Sequence, residues 1–266
     1  MLPNQIICGN CVDVMREMDA DSVDLIVTSP PYGNLRDYQG YEFDFGSIAK
    51  ELYRVTKPGG IVVWVVNDQV IDGGESGESF KQALRFKETG FTLWDTMIYE
   101  KSGIRYPEKK RYYQCWEYMF VLSRGTPKTV NLITDRRSIW SGTWGKQTSR
   151  QKNGILKSGN KILYHKLGVR RNVWRMDSGN SRSTSDKIAY QHPAIFPDAL
   201  ARDHIISWSN EQDVVLDPMC GSGTTCAQSV LLNRQFIGID VSKEYCELSR
   251  KRVAMAQDVM KQGSLL

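Results

Sequence analysis

The sequence predicts a Rossmann-like α/β fold with a mostly parallel sheet, and three observations carry that prediction. Short apolar runs of strand length alternate with stretches of helical spacing along the chain. One run, Ile61-Val62-Val63-Trp64-Val65-Val66, is apolar at every position, as a strand covered on both faces must be. Downstream, a glycine-rich turn joins a strand to a helix, and the next strand ends in an acid, Asp240.

Ile6-Ile7-Cys8 reads as a short strand. Val12, Met15 and Met18 form a helical stripe closed by the turn Asp19-Ala20-Asp21-Ser22. Val23 to Val27 is a buried strand that delivers Ser29 at its carboxyl end, where open α/β sheets place their ligands. From Phe45 the positions Ile48, Ala49, Leu52 and Tyr53 keep helical spacing, and Pro58-Gly59-Gly60 is expected to stop that helix before the Ile61–Val66 strand. Asp72 to Gly77 reads as a loop, and Ser79 to Glu88 as a helix with Gly90 after its end. Phe91 to Glu100 and Cys115 to Leu122 are two further strands. Residues 141–160, rich in Gly, Ser, Lys, Gln and Asn, cannot bury much surface and are expected to be irregular and mobile without a partner. Leu200 to Ile205 is helical, Val214-Val215-Leu216 leads into the glycine turn, and Thr224 to Leu232 follows as a helix. Phe236 to Asp240 is the last strand, and Ser242 caps a terminal helix reaching Met260. No internal repeat or linker-bounded domain is evident.

The 266 residues suffice for one such domain with a sizeable insertion. Six cysteines and an N-terminus, Met1-Leu2-Pro3-Asn4-Gln5, without a basic or long apolar region lead us to expect reduced thiols and a cytoplasmic protein. No apolar run approaches a membrane span. The net charge of +5 hides a lopsided layout: residues 123–187 carry fifteen Lys/Arg against Asp135, Asp177 and Asp186, a local balance of +12 that leaves −7 for the rest. Alone, such a block reads as a solvated loop. With Trp140, Trp144 and Trp174 among the charges and a base-handling motif elsewhere, it reads as a phosphate-backbone footprint. Arg136, Arg137, Lys146, Arg150, Arg170, Arg171 and Arg175 are its candidate contacts.

Two turns carry the chemistry. Ser29-Pro30-Pro31-Tyr32 pairs a rigid turn with an aromatic ring; two prolines fix φ and remove two donors, leaving nearby carbonyls free to accept. Such a turn suits a planar base bearing an exocyclic amine, with acceptors for its N–H groups and a ring for its face. Asp217-Pro218-Met219-Cys220-Gly221-Ser222-Gly223-Thr224-Thr225 lets backbone approach a cofactor closely, and Asp240, 17 residues after Gly223, suits a ribose diol. Cys226 stands where a dinucleotide site would prefer a third glycine, and the Gly-Lys of a P-loop is missing. Cys8-x-x-Cys11 has no second pair at zinc spacing, and His165, His192 and His204 form no ligand pattern, so these are read as core thiols and no metal is expected.

Together these turns resemble the amino-methyltransferases of DNA, whose catalytic motif reads (Asp/Asn/Ser)-Pro-Pro-(Tyr/Phe) and whose cofactor motif resembles Asp-Pro-Phe-x-Gly-Ser-Gly-Thr, here with Met219 in the Phe place. The order, with the catalytic motif first and the cofactor motif last, is similar to the β-class arrangement. The resemblance runs from about Ile6 to Val253 and is weakest between Arg124 and Lys187. It implies a SAM-dependent methyltransferase fold with an inserted target-recognition region, divided as 1–122 (catalytic half), 123–187 (recognition insertion) and 188–266 (cofactor half). It implies S-adenosylmethionine (SAM) held by Asp217, Met219, Gly221, Ser222, Gly223, Thr224 and Asp240. Asn10 and Cys11 stand where relatives often carry Gly-Asp-Cys near the adenine, and Gly-Asn at a strand end also reads as a plain turn. His192-Pro193-x-x-Phe196-Pro197 resembles the loop that covers the methionine moiety, though His192 reads equally as a loop residue. Tyr99-Glu100-Lys101 stands where relatives have Trp-x-Lys, so Tyr99 is either a second aromatic wall or core.

Ser29, Pro30, Pro31 and Tyr32 are then the catalytic residues. Serine in first place is commoner among N4-cytosine enzymes of the family, which favours N4 of cytosine over N6 of adenine. Duplex DNA is the implied partner. Relatives commonly dimerise or accompany a restriction endonuclease, and no residue here shows either. The competing readings are an RNA or protein-amine methyltransferase on the same fold, which the motif order disfavours, and a non-catalytic DNA-binding module, which both intact motifs disfavour.

Overall fold

The alternation of strands and helices gives β1 (Gln5–Cys8), α1 (Cys11–Arg16), β2 (Val23–Thr28), α2 (Phe45–Val55), β3 (Thr56–Val66), the short ladder of β4 (Val70–Ile71) and β5 (Gly74–Glu75), α3 (Glu78–Thr89), β6 (Thr92–Lys101) and β7 (Trp116–Ser123). Next come β8 (Arg136–Arg137), β9 (Gly142–Arg150), β10 (Leu156–Tyr164), β11 (Leu167–Gly168) and β12 (Val173–Met176). A 3-10 turn at Lys187–Gln191 leads to α4 (Asp198–Trp208), β13 (Val214–Asp217), α5 (Thr224–Leu231), β14 (Gln235–Asp240) and α6 (Lys243–Gly263). The computed structural model describes residues 2–31, 43–103, 110–138, 142–177, 183–184, 186–195 and 197–263, without the side chains at 143–145, 147 and 161–164. The chain forms two units, one of residues 1–131 with 172–266 and one of residues 132–171.

The first unit is built on an eight-stranded sheet of order β1-β14-β13-β2-β3-β7-β6-β12. Its first five strands are mutually parallel, β7 is antiparallel to both β3 and β6, and β12 joins the edge parallel to β6. Successive side chains of a strand point to opposite faces, and the sequence fills both. Ile26, Val62, Trp64, Val66, Phe120 and Leu122 pack with α1, α2 and α3. Leu25, Val27, Ile61, Val63, Val65, Met119 and Val121 pack on the other face with Leu200, Ala201, Ile205 and Trp208 of α4. Trp64 is fully buried, and its one polar atom, Nε1, donates to Gln82 Oε1 at 2.8 Å. Asp44 caps α2 by accepting from Ser47 N, and α3 ends at Gly90 with φ +118°, where a Cβ would lie 2.9 Å from the Tyr53 ring.

The topology fixes the site. From β2 the chain turns through α2 to β3 on one side; from β13 it turns through α5 to β14 on the other. The adjacent carboxyl ends of β2 and β13 are therefore the topological switch point, the crevice in which open α/β sheets take their ligands.

Four expectations need correction. Pro58-Gly59-Gly60 does not end a helix: α2 stops at Val55, and the three residues lie within β3 as a bulge between the pairs Val23↔Thr56 and Leu25↔Ile61. Gly59 takes φ +84° there, and its N–H still finds Arg124 O at 2.6 Å. Residues 142–164 are not irregular, because β9 and β10 pair as an antiparallel hairpin whose turn carries Gly154 at φ +81°. Backbone pairing orders that segment where little apolar burial is on offer. Trp174 is not an exposed aromatic among charges: on β12 it is buried against Met176 and Met119, with the His204 ring 4.5 Å from its own. Of the two expected core thiols, Cys8 is exposed. Within 123–187, only residues 132–171 make the second unit, and β12 belongs to the main sheet. Trp140 lies outside the described residues.

Candidate active site

The two motif turns leave the sheet side by side and are tied together by buried side chains. Thr28, last residue of β2 and neighbour of Ser29, donates from Oγ1 to Asp217 Oδ1 at 2.7 Å. Thr225, second residue of α5, donates from Oγ1 to Val27 O at 3.0 Å. Asp217 Oδ1 also receives Met219 N at 3.2 Å, and Thr225 is a further partner of the carboxylate. Burial outweighs these bonds and lifts the Asp217 carboxyl to about 6. Beyond Thr28, Ser29 and Pro31 are half-buried and Pro30 is buried. Tyr32 lies outside the described residues, as does Phe196.

The glycine turn needs its glycines for two reasons. Gly221 and Gly223 take φ of +50° and +78°. A Cβ on Gly221 would stand 2.9 Å from His192 Nε2, and one on Gly223 would stand 3.0 Å from the Cα of Ser249 on α6. Met219 packs partly buried against the core, while Ser222 and Thr224 are buried. Asp240 lies opposite, at the end of β14: Oδ2 accepts Gly221 N and Oδ1 accepts Ser242 N, both at 2.9 Å. Desolvation raises its pKa. Each oxygen retains a second lone-pair direction.

Asn10 is the N-cap of α1, its Oδ1 accepting Val12 N at 2.9 Å, so the amide has a structural task of its own. Cys11 begins that helix, and burial pushes its thiol up to about 11, leaving it neutral. His192 accepts Ala194 N at Nδ1, 3.1 Å away, which puts the proton of a neutral ring on Nε2. Its ring lies edge-on to Tyr245 at 4.4 Å and against the Gly221 turn. The structure therefore brings Ser29, Pro30, Asp217, Gly221, Ser222, Gly223, Thr224, Asp240 and His192 to one end of the sheet. Tyr99 is buried in the core cluster around Val63 and Met119, which decides the open reading for core. Lys101 Nζ is ion-paired to the buried Glu117 at 2.5 Å.

Sequence reasoning missed Thr28, Ser249 and Arg252. Arg252 sits in the run Arg250-Lys251-Arg252, which looks like the solvated face of a terminal helix. Only tertiary contacts reveal that it is buried against Ser222 and Thr224.

In the second unit, Lys146 and Arg150 are exposed on β9 and face β10 in register with Lys161 and Leu156. Arg137 and Arg171 are exposed as well. Arg136 donates Nε to Val169 O at 3.0 Å, and Arg170 forks onto Asp135, holding that carboxyl below its usual range. These two arginines therefore brace the β8–β11 ladder. Arg175 is exposed on β12 of the first unit. Among the described residues no group of three or more His, Cys, Asp or Glu could hold a metal, and no helix is long and apolar enough to cross a membrane.

Residues 23–251 match the DNA methylase family of N6 and N4 methyltransferases. The chain belongs to that family. It is 54% identical over 246 residues to the orphan methyltransferase M.BamHII of Bacillus amyloliquefaciens, covering 90% of this chain and 92% of that one. It is 28% identical over 265 residues to the DNA adenine methyltransferase YhdJ of Escherichia coli K12, covering 94% and 83%. Among solved structures, the fold superposes on the cytosine-N4-specific PvuII DNA methyltransferase with a TM-score of 0.69 at 18% identity, over 98% of this chain and 93% of that one. It also superposes on a DNA modification methylase of Thermus thermophilus, solved with S-adenosyl-L-methionine, with a TM-score of 0.64 at 22% identity, over 95% and 94%. Fold and family are thus those that the two motifs implied.

Proposed function

We propose that this DNA methylase transfers a methyl group from SAM to the exocyclic amine of a base turned out of duplex DNA, and that the amine is N4 of cytosine. The observation that carries the reading is the junction of the two turns at the switch point, where Thr28–Asp217 and Thr225–Val27 lock the Ser29-Pro30-Pro31 backbone to the glycine turn. A donor held by one turn and an acceptor held by the other would meet without either loop having to be ordered first, which removes much of the entropic cost of bringing them together.

The residues fit that cofactor. Asp240 keeps one acceptor direction on each oxygen for a ribose diol while its other directions hold the turn. Gly221, Ser222, Gly223 and Thr224 offer close backbone approach with no lysine of the phosphate-binding kind, as suits a nucleoside without a phosphate. His192, Cys11, Asn10, Met219 and Phe196 complete the proposed set. When bound, SAM supplies an electrophilic methyl group on a sulfonium.

The rest is the work of the chain. An aryl amine is a weak nucleophile because its lone pair is delocalised into the ring. Ser29 Oγ and the Pro30 carbonyl would accept its two N–H groups, favouring a pyramidal nitrogen whose lone pair points at the methyl, and Tyr32 would stack on the base. The amine proton becomes acidic only as the new bond forms, so acceptors aimed at the transition state suffice without a strong base. The cytosine assignment rests on Ser29, a neutral acceptor; the 28% identical relative named as an adenine methyltransferase supports N6 of adenine as the second reading.

Duplex DNA is the proposed partner of the basic residues, led by Lys146, Arg150, Arg137, Arg171 and Arg175, with the 123–187 segment as the recognition region. The name orphan borne by the relative from B. amyloliquefaciens weighs against a cognate endonuclease here. The test compares Tyr32→Ala with Tyr32→Phe on duplex substrate. The alanine variant should lose at least the 1–3 kcal/mol or so that base–aromatic stacking supplies, with SAM affinity kept, and the phenylalanine variant should stay close to wild type. Full activity of Tyr32→Ala would overturn the mechanism.

A further inference from the structure

Arg252 has 3% of its side chain exposed and joins three segments that are far apart in sequence. Nη1 donates to Ser222 O at 2.9 Å, Ser222 Oγ at 3.2 Å and Thr224 Oγ1 at 2.9 Å, so one nitrogen spans the glycine turn. Nε donates to Asp186 Oδ2 at 2.7 Å, and Nη2 to Asp198 Oδ1 at 3.3 Å. Asp186 caps the 3-10 turn that leads into His192, accepting Ile188 N at 3.1 Å. Asp198 opens α4, and its own N–H reaches back to Ser183 O at 3.0 Å. The guanidinium thus fixes the glycine turn relative to both ends of the 186–198 segment, whose His192 ring lies against Gly221.

Folding alone does not call for a charge here. Removing a cation from water carries a desolvation cost of several kcal/mol, and well-packed apolar side chains in place of buried ion pairs are often neutral or stabilising. An apolar residue would fill the same volume on α6 but could not set the distance between two loops. A planar fork with five donors can do so, and a lysine ammonium, with its single point of attachment, cannot hold all three segments.

We propose that Arg252 is a positioning residue for the cofactor: it holds the Ser222–Thr224 turn and the His192 segment at the separation that SAM requires, so that the cleft exists before the cofactor arrives. The inference rests on the assignment of the glycine turn to SAM. Preorganisation of this kind acts on affinity for the cofactor rather than on the chemical step.

The test uses the full chain with Arg252→Lys, Arg252→Met and the peripheral Asp198→Asn. Titration calorimetry with SAM, steady-state kinetics on duplex DNA and thermal unfolding without ligand are run side by side. Arg252→Lys and Arg252→Met should each weaken SAM binding at least tenfold and raise the KM for SAM in step, with kcat at saturating SAM within about threefold of wild type and the KM for DNA unchanged. Asp198→Asn should show a smaller shift of the same kind, which keeps the proposal testable if Arg252→Met fails to fold. A lowered unfolding temperature with unchanged SAM affinity would reduce Arg252 to a structural residue and overturn the inference alone. Wild-type protein that binds no SAM would overturn the cofactor assignment and this inference with it.

Discussion

Replacing Asp217 by asparagine should make the protein more stable above neutral pH, although the residue sits at the centre of the proposed site. Burial lifts this carboxyl from 3.8 to about 6, so the folded state holds its proton more tightly than the unfolded chain does. The favourable contribution is complete below pH 3.8 and is lost as the pH rises through 6; fully ionised, the side chain destabilises the fold by about 3 kcal/mol, at 1.36 kcal/mol per unit of pKa. Asparagine removes the charge and can keep the bonds. Its Oδ1 would receive Thr28 Oγ1 and Met219 N, as Asp217 Oδ1 does now. Its amide N–H would find the Thr225 hydroxyl oxygen, whose proton goes to Val27 O. Roughly 1.4 kcal/mol of the penalty develops between pH 5 and pH 8, which corresponds to about 3–5 °C in unfolding temperature for a chain of this size. Calorimetric or fluorescence-monitored unfolding at both pH values should show the gap between Asp217→Asn and wild type widening by that amount in favour of the variant. A gap that is constant with pH, or that widens in favour of wild type, would refute the account of a buried carboxylate shared by the two turns.

Asp240→Ala should weaken SAM binding by roughly 1.5–3 kcal/mol, the scale of hydrogen bonds to a charged group, and the loss includes freeing the Gly221 N–H that Asp240 now holds; titration calorimetry with unchanged affinity would remove Asp240 from the cofactor site. Neutralising the exposed Arg137 and Arg171 together should reduce the salt slope of duplex binding by about 1.8, at roughly 0.9 for each phosphate no longer neutralised. Arg170→Gln, which breaks the fork onto Asp135, should leave that slope alone and lower stability instead. A double variant with the wild-type slope would place Arg137 and Arg171 away from phosphate.

Where the sequence was legible, local chemistry and periodicity agreed. The continuous run Ile61–Val66 became the central strand buried on both faces, and the glycines of the cofactor turn occupy positive φ where any Cβ would collide. Pro58-Gly59-Gly60 misled because the same residues that stop helices also fill bulges, and only the pairing of β2 with β3 distinguishes the two. The hairpin at 142–164 was hidden because its order comes from backbone pairing, which leaves no hydrophobic signature in a polar stretch. Trp174 and Arg252 were misread for opposite reasons: the tryptophan among charges is buried by an edge strand, and the arginine in a basic run is buried by the turn it holds. Long-range contacts of single side chains leave no spacing to read. Thr28 is the sharpest case, since its partner lies 189 positions away.

The most direct test is the identity of the modified nucleoside. Duplex DNA incubated with the purified protein and SAM, then digested and analysed by mass spectrometry, should contain N4-methylcytosine, and Ser29→Ala should lower its yield without loss of folding. N6-methyladenine alone would overturn the cytosine assignment while leaving the mechanism of the two turns intact. Duplex DNA that gains no methylated base from a protein that binds SAM would contradict the central claim.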